Sequence, residues 1–177
     1  MKRFVLFAVT VLMTHVTVAA EPPTAGPDSP KAEPTKAAYA IMGLHCPPCT
    51  RTVESSLKKV KGVKAAKVDW DTKTAKIEFD ESVLPAQKLA QAIAATPHMM
   101  GGGMHYGSWL TLKVPDLKDD ATAKQIKTAL EKQKGVKRVV TYPAQHAVNV
   151  EFNADGAATT RELIDAVAAA GLSATTN

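Results

Sequence analysis

The strongest constraint on this chain is an apolar pattern that repeats at a fixed offset. Lys61-Gly62-Val63-Lys64 recurs as Lys134-Gly135-Val136-Lys137, 73 positions further on. The same offset, without a gap, pairs Ile41 with Val114, Leu44 with Leu117, Val53 with Ile126, Leu57 with Leu130, Ile77 with Val150 and Phe79 with Phe152. One further residue of offset pairs Leu89 with Leu163 and Ile93 with Val167. Matched apolar positions over such a span mark two copies of one unit, each about 70 residues long.

Within each copy the apolar period switches between two and 3.6 residues. Ala38 to Met42 reads as a strand, and Val53, Leu57 and Val60 fall at helical spacing before Gly62. Val63 to Asp69 and Thr74 to Phe79 alternate as strands around a turn at Asp71-Thr72-Lys73, and Leu84 to Thr96 reads as a second helix ended by Pro97. Copy two repeats the order. It has a strand at Trp109 to Val114, a helix near Asp119 to Lys134, strands near Val136 to Tyr142 and His146 to Phe152, and a helix near Thr159 to Ala170. Leu172 to Thr175 is a candidate last strand. The order β-α-β-β-α, with room for a final strand, predicts an α+β fold of two tandem ferredoxin-like βαββαβ units, each an antiparallel sheet with both helices on one face. Each unit is near the lower size limit for independent folding, and the link between them is very short. Aromatics make up only 5% of residues, so the cores are built from small side chains.

The first 20 residues read as a signal peptide. Lys2 and Arg3 precede the apolar run Phe4 to Met13, and Val18-Ala19-Ala20 supplies small residues for cleavage. The run is too short for a good membrane span, and no later stretch is long and apolar enough for one. Residues 21–37 hold Pro22, Pro23, Pro27, Pro30 and Pro34, a composition for a disordered linker. The expected organisation is therefore signal peptide 1–20, linker 21–37, and folded units at 38–108 and 109–177. Without Lys2 and Arg3 the formal charge of +5 falls to +3, with no dense basic cluster and no interleaved aromatics, which argues against a nucleic-acid partner.

Both cysteines of the chain lie in Gly43-Leu44-His45-Cys46-Pro47-Pro48-Cys49, where the first strand gives way to the first helix. A helix N-terminus carries partial positive charge and unpaired N–H groups, and both favour the metal-binding thiolate. Two intervening residues let both sulfurs converge on one ion, and two soft sulfurs at low coordination suit Cu(I) or Hg(II). A closed structural zinc site needs four ligands, and there is no second cysteine pair. Both prolines lack an N–H, so fewer backbone donors reach the sulfurs. A plain disulfide and a thiol–disulfide exchange centre are the competing readings of the pair.

The run Gly43-Leu44-His45-Cys46-Pro47-Pro48-Cys49, followed by an amphipathic helix and Lys61-Gly62-Val63, resembles the heavy-metal-associated domain. That family occurs in copper chaperones, in metal-pumping ATPases and in periplasmic mercury-binding proteins. The metal motif covers residues 38 to about 108, whereas 109–177 match in core pattern only. The resemblance implies that Cys46 and Cys49 are the metal ligands. It also implies that Leu44 stands where relatives carry a methionine that packs under the loop, a volume-conserving exchange.

Pro97 to Tyr106 concentrates further soft and borderline donors: His98, Met99, Met100, Met104 and His105, around Gly101-Gly102-Gly103. Thioether and imidazole suit Cu(I), and imidazole also suits Zn(II). The resemblance puts this loop at the same end of the domain as the cysteines, so these five residues are candidate accessory ligands. Core filling by the methionines is the alternative. His45 and His146 read as surface residues. In copy two, Asp119 and Thr122 stand where copy one has Cys46 and Cys49, and helix capping is the expected role of the aspartate. Taken together these features predict a periplasmic or otherwise extracytoplasmic binding protein, not an enzyme. Cu(I) is the preferred ion, Hg(II) the next, and Zn(II) a further candidate. The expected partner is a membrane metal transporter or another metal-binding protein. A thiol–disulfide oxidoreductase and a metal-free interaction module are the alternatives.

Overall fold

The computed structural model describes residues 33–176, so the expected signal peptide (1–20) and residues 21–32 of the expected linker lie outside the described residues. The elements are β1 (Thr35–Met42), α1 (Pro47–Leu57), β2 (Val63–Asp69), β3 (Thr74–Phe79), α2 (Ala86–Ala94), β4 (Gly107–Lys113), α3 (Asp120–Glu131), β5 (Val136–Tyr142), β6 (Ala147–Phe152) and α4 (Thr160–Ala169).

The repeat is structural. Both members of all eight apolar pairs are buried, from Ile41/Val114 to Ile93/Val167. The backbone repeats as well. Gly62 and Gly135 turn the chain into β2 and β5 at φ +99° and +94°, where a side chain would be strained. A β-bulge follows each, at Val63/Ala65 and at Val136/Arg138. Lys73 and His146, 73 positions apart, both adopt left-handed conformations in the β2–β3 and β5–β6 hairpins, at φ 53° and 47°.

The two units do not form two sheets. All six strands make one antiparallel sheet in the order β2-β3-β1-β4-β6-β5. β4 is the centre of the arrangement. Its register with β1 runs from Ala38↔Thr111 to Met42↔Gly107, which makes it the last strand of the first unit. Its register with β6, Leu110↔Val150 to Lys113↔Ala147, makes it the first strand of the second. The expected boundary between 108 and 109 therefore falls inside a shared strand. Residues 95–106 contain no other strand, so β4 must serve both units. The candidate last strand of copy two shrinks to one bridge, Lys113↔Thr175, because β1 already occupies most of that edge of β4. The expected linker also ends earlier. Thr35 pairs with Phe79, so residues 35–37 are strand and not tether.

The helix-side face of the sheet carries Tyr39, Ile41, Ala75, Ile77, Phe79, Leu110, Leu112, Val148 and Val150, all within one continuous core. Alternate residues on the other face include Lys36, Thr74, Lys76, Glu78, Thr111 and Asn149, which are exposed or half-buried. Period-two alternation thus sets which face the helices cover.

Polar contacts also join the units. Gln87 on α2 is fully buried. Its Nε2 donates to the carbonyls of Asn153 (2.9 Å) and Asp155 (2.8 Å), and its Oε1 accepts from the Ala158 N–H at 3.0 Å. Gly135 and Gly156 pack against it so closely that any Cβ there would overlap the Gln87 amide. The Glu81 carboxylate accepts from the N–H and the hydroxyl of Thr160, both at 2.6 Å, at the start of α4. A carboxylate there satisfies an orphan donor and suits the helix dipole.

Candidate metal site

The cysteine loop follows directly from β1. Gly43 turns at φ +85°, and a Cβ there would come within 2.9 Å of the His105 carbonyl oxygen. Glycine at 43 therefore lets the two loops approach. Leu44 is buried, consistent with packing under the loop. Cys46 occupies the N-cap of α1 in extended conformation and makes no side-chain cap hydrogen bond. Pro47 and Pro48 fill the first helical positions. Their fixed φ suits that turn, but two of its N–H groups are missing, and the third, of Cys49, donates to the Cys46 carbonyl at 3.0 Å. The reading that few backbone donors reach the sulfurs holds.

Cys49 is fully buried and Cys46 half-buried. The two are joined as a disulfide with their Cα atoms 5.4 Å apart. Metal binding and this bond exclude each other. Two-electron reduction frees both sulfurs, and their side chains are already directed at one point.

The second unit shows what the scaffold does without sulfur. Asp119, at the position equivalent to Cys46, caps α3 by accepting from the N–H of Thr122, the equivalent of Cys49, at 2.7 Å. The hydrogen bonds from Thr122 hold the Asp119 carboxyl below its ordinary pKa. The expected capping role is therefore present. Copy one gives up such a cap, commonly worth about 1 kcal/mol, and has a cysteine at the cap position instead.

His98 is held differently from a free ligand. Its Nε2 lies 2.9 Å from the Gly43 carbonyl, and its Nδ1 lies 3.2 Å from the Met100 nitrogen. A carbonyl only accepts and a backbone N–H only donates, so Nε2 carries the proton and Nδ1 accepts. Both ring nitrogens are engaged, and His98 braces the cysteine loop. Its ring packs on Tyr106 at 4.6 Å between centroids and meets His45 edge-on at 5.6 Å. Tyr106 is buried, and its hydroxyl has no hydrogen-bond partner among the described residues. These contacts place the His98–Tyr106 loop beside the cysteine loop, as the resemblance implies.

The remaining candidates stand open. His105 is exposed, and Met99, Met100 and Met104 are 55%, 63% and 38% exposed, so none of the three fills the core. Among the described residues no three His, Cys, Asp or Glu side chains converge as a ready metal site. His146 is exposed, and its Nδ1 donates to the Leu117 carbonyl at 2.9 Å. Two participants escape a reading of the sequence. Met42 looks like an ordinary strand residue, but it ends β1 beside the loop and is 56% exposed. Tyr106, at the end of the glycine-rich run, carries no spacing signal of its own.

The heavy-metal-associated domain model matches residues 38–98 and 111–172. The chain belongs to this family. Several curated relatives share the domain. The copper-transporting ATPase HMA5 of Oryza sativa subsp. japonica is 28% identical over 133 residues, 73% of this chain and 13% of that protein. The copper chaperone CopZ of Staphylococcus haemolyticus is 34% identical over 53 residues, 30% of this chain and 78% of that protein. The mercuric transport protein periplasmic component of Shigella flexneri is 36% identical over 55 residues, 31% of this chain and 60% of that protein. This chain thus spans only 13% and 6% of the length of two rice ATPases it matches. The water-soluble region of P-type ATPase CopA from Bacillus subtilis covers 82% of this chain and 92% of its own, at 23% identity and a TM-score of 0.40. Among the described residues of this heavy-metal-associated protein, no helix is long and apolar enough to cross a membrane.

Proposed function

We propose that this chain is an extracytoplasmic soft-metal-binding protein. Once reduced, it holds one soft ion between Cys46 and Cys49, with Cu(I) as the first candidate, Hg(II) the next and Zn(II) a further one. It sequesters the ion or passes it to a membrane metal transporter or another metal-binding protein by ligand exchange. The observation that carries this reading is the contrast between the units. The same helix start bears an aspartate–threonine cap in one unit and an uncapped cysteine pair in the other. Sulfur at that position contributes no cap, so its use lies in binding. Among the described residues no third acid or imidazole converges with the cysteine pair, which leaves room for a partner's thiolate to enter and displace them, as transfer requires. His98 keeps the Gly43 loop in place while the sulfurs change partners.

The first 20 residues, with their basic start and apolar run, support export. A relative named as a periplasmic component is consistent with it. Titration of the reduced protein with Cu(I) under anaerobic conditions, against a competing chelator, tests the reading. One ion per chain is expected, lost in C46S/C49S. Equal affinity of parent and variant sinks it.

The disulfide favours one competing reading, a thiol–disulfide oxidoreductase acting through Cys-Pro-Pro-Cys. That reading predicts reduction of insulin disulfides that survives metal chelation; the metal-binding reading predicts none.

A further inference from the structure

Methionine is ordinarily core filler. Here every methionine among the described residues is exposed: Met42, Met99, Met100 and Met104. Among the described residues they are four of the six large hydrophobic side chains that stand out to solvent, and the other two, Val83 and Tyr142, lie elsewhere in the sequence. Each of the four is joined to Gly43 directly in the chain or through a neighbour that contacts it. Met42 precedes it and pairs with Gly107. Met104 lies next to His105, whose carbonyl faces Gly43. Met99 and Met100 follow His98, which is hydrogen-bonded to the Gly43 carbonyl. Between Met100 and Met104, Gly101 and Gly103 turn at φ +99° and +88° in open space, with no neighbouring atom within 4 Å of where a side chain would begin.

Leaving such side chains in water forgoes the stabilisation that burying their apolar surface would give. A polar loop residue would carry no such loss. A thioether has one property that lysine or serine lacks: it is a soft donor, uncharged at every pH, that selects Cu(I). It also cannot be consumed by a disulfide. With Cys46 and Cys49 joined, these four sulfurs are the soft donors that remain among the described residues.

We propose that Met42, Met99, Met100 and Met104 form an exposed thioether site for a soft monovalent ion. The site captures Cu(I) while the cysteines are oxidised. Passage to the reduced pair rests on the cysteine reading given above, whereas capture does not. Passage follows reduction of the disulfide by an external dithiol, which leaves Cys46 and Cys49 as thiols and is itself oxidised to a disulfide; it is then ligand substitution, in which thioether–copper bonds break, thiolate–copper bonds form, two thiol protons leave to water, and copper stays in the +1 state.

The test uses the purified protein with its disulfide intact, labelled with methyl-13C methionine and titrated with Ag(I) as a soft monovalent probe. The methyl signals of Met42, Met99, Met100 and Met104, assigned from single Met→Leu variants, are expected to move together and saturate at one ion per chain. Because histidine changes charge between about pH 5 and 8 while a thioether does not, affinity is expected to be the same at both ends of that range. M42L/M99L/M100L/M104L is expected to lose at least tenfold in affinity, with an unchanged unfolding midpoint. The proposal is overturned if the methyl signals stay still under excess Ag(I), as they would if the patch served only as an apolar protein contact. Unaltered affinity in the fourfold variant overturns it too, since the imidazoles would then be the ligands. Failure of the cysteine reading shows separately, as equal Cu(I) affinity of the reduced parent and C46S/C49S, and leaves the Ag(I) result on the oxidised chain as it was.

Discussion

Replacing Gln87 with leucine tests whether the two repeat units are one cooperative body. Leucine keeps the apolar volume of the side chain and removes its amide. Three hydrogen bonds disappear, to Asn153, Asp155 and Ala158, all across the junction between units. The backbone bond from the Gln87 N–H to the Ala158 carbonyl stays. Each lost bond costs about 1 kcal/mol net, and more where a buried partner is left unpaired. Gln87 is fully buried, so the expected loss is about 3 kcal/mol. For a body of this size that lowers the melting temperature by roughly 10 °C. Urea unfolding, followed by far-UV circular dichroism and by tryptophan fluorescence, measures it. Trp70 reports on the first unit and Trp109 on the shared strand. The two probes are expected to give coincident single transitions in both proteins. Q91A is the control, because Gln91 makes one exposed bond to the Ala154 carbonyl and its loss costs below about 1 kcal/mol. A change in Q87L no larger than in Q91A, or separate transitions in the parent, refutes the reasoning.

Three further outcomes are expected. H98A removes the hydrogen bond to the Gly43 carbonyl that holds the cysteine loop, together with the Met100 bond that orients the ring, so alkylation of the reduced cysteines should quicken by about tenfold through local opening, with partial rescue in H98Q; an unchanged rate shows that His98 does not brace the loop. C46D/C49T transplants the cap of the second unit into the first, and should raise stability by about 1 kcal/mol relative to the reduced parent while abolishing Cu(I) binding; unfolding of both proteins in urea decides it. Burial pushes the Glu151 carboxyl up, but hydrogen bonds from Lys137 and Arg138 outweigh this and hold it below the ordinary carboxylate value. A lowered folded pKa contributes stability above the unfolded pKa of about 4.3 and loses it as pH falls through the folded value. Stability of the parent should therefore fall more steeply than that of E151Q below about pH 4.3, by up to about 1 kcal/mol for so exposed a network; parallel pH profiles would count against that network.

What could be read from the residues alone was whatever the chain writes locally. Periods of two and 3.6 residues fixed which side chains face inward, so the eight repeated apolar pairs and the order of elements were legible. The place of Cys46 at a helix start followed from the same periods, and so did the cap at Asp119. Hydrogen bonding along strand edges is not written locally. Nothing in Gly107–Lys113 states that β1 takes one edge and β6 the other, and only the assembled sheet makes one strand serve both units. Side-chain partners distant in sequence were equally hidden. His98 looked like a ligand because imidazole is a metal donor, but in the fold both nitrogens are spent on Gly43 and Met100. Nothing in the local sequence around Gln87 states that its amide meets the loop from Asn153 to Ala158. Met42 meets Gly107 only because β1 and β4 pair. The sequence determined what each stretch buries; the tertiary structure decided which edges and polar groups meet, because those pairings join residues that are tens of positions apart.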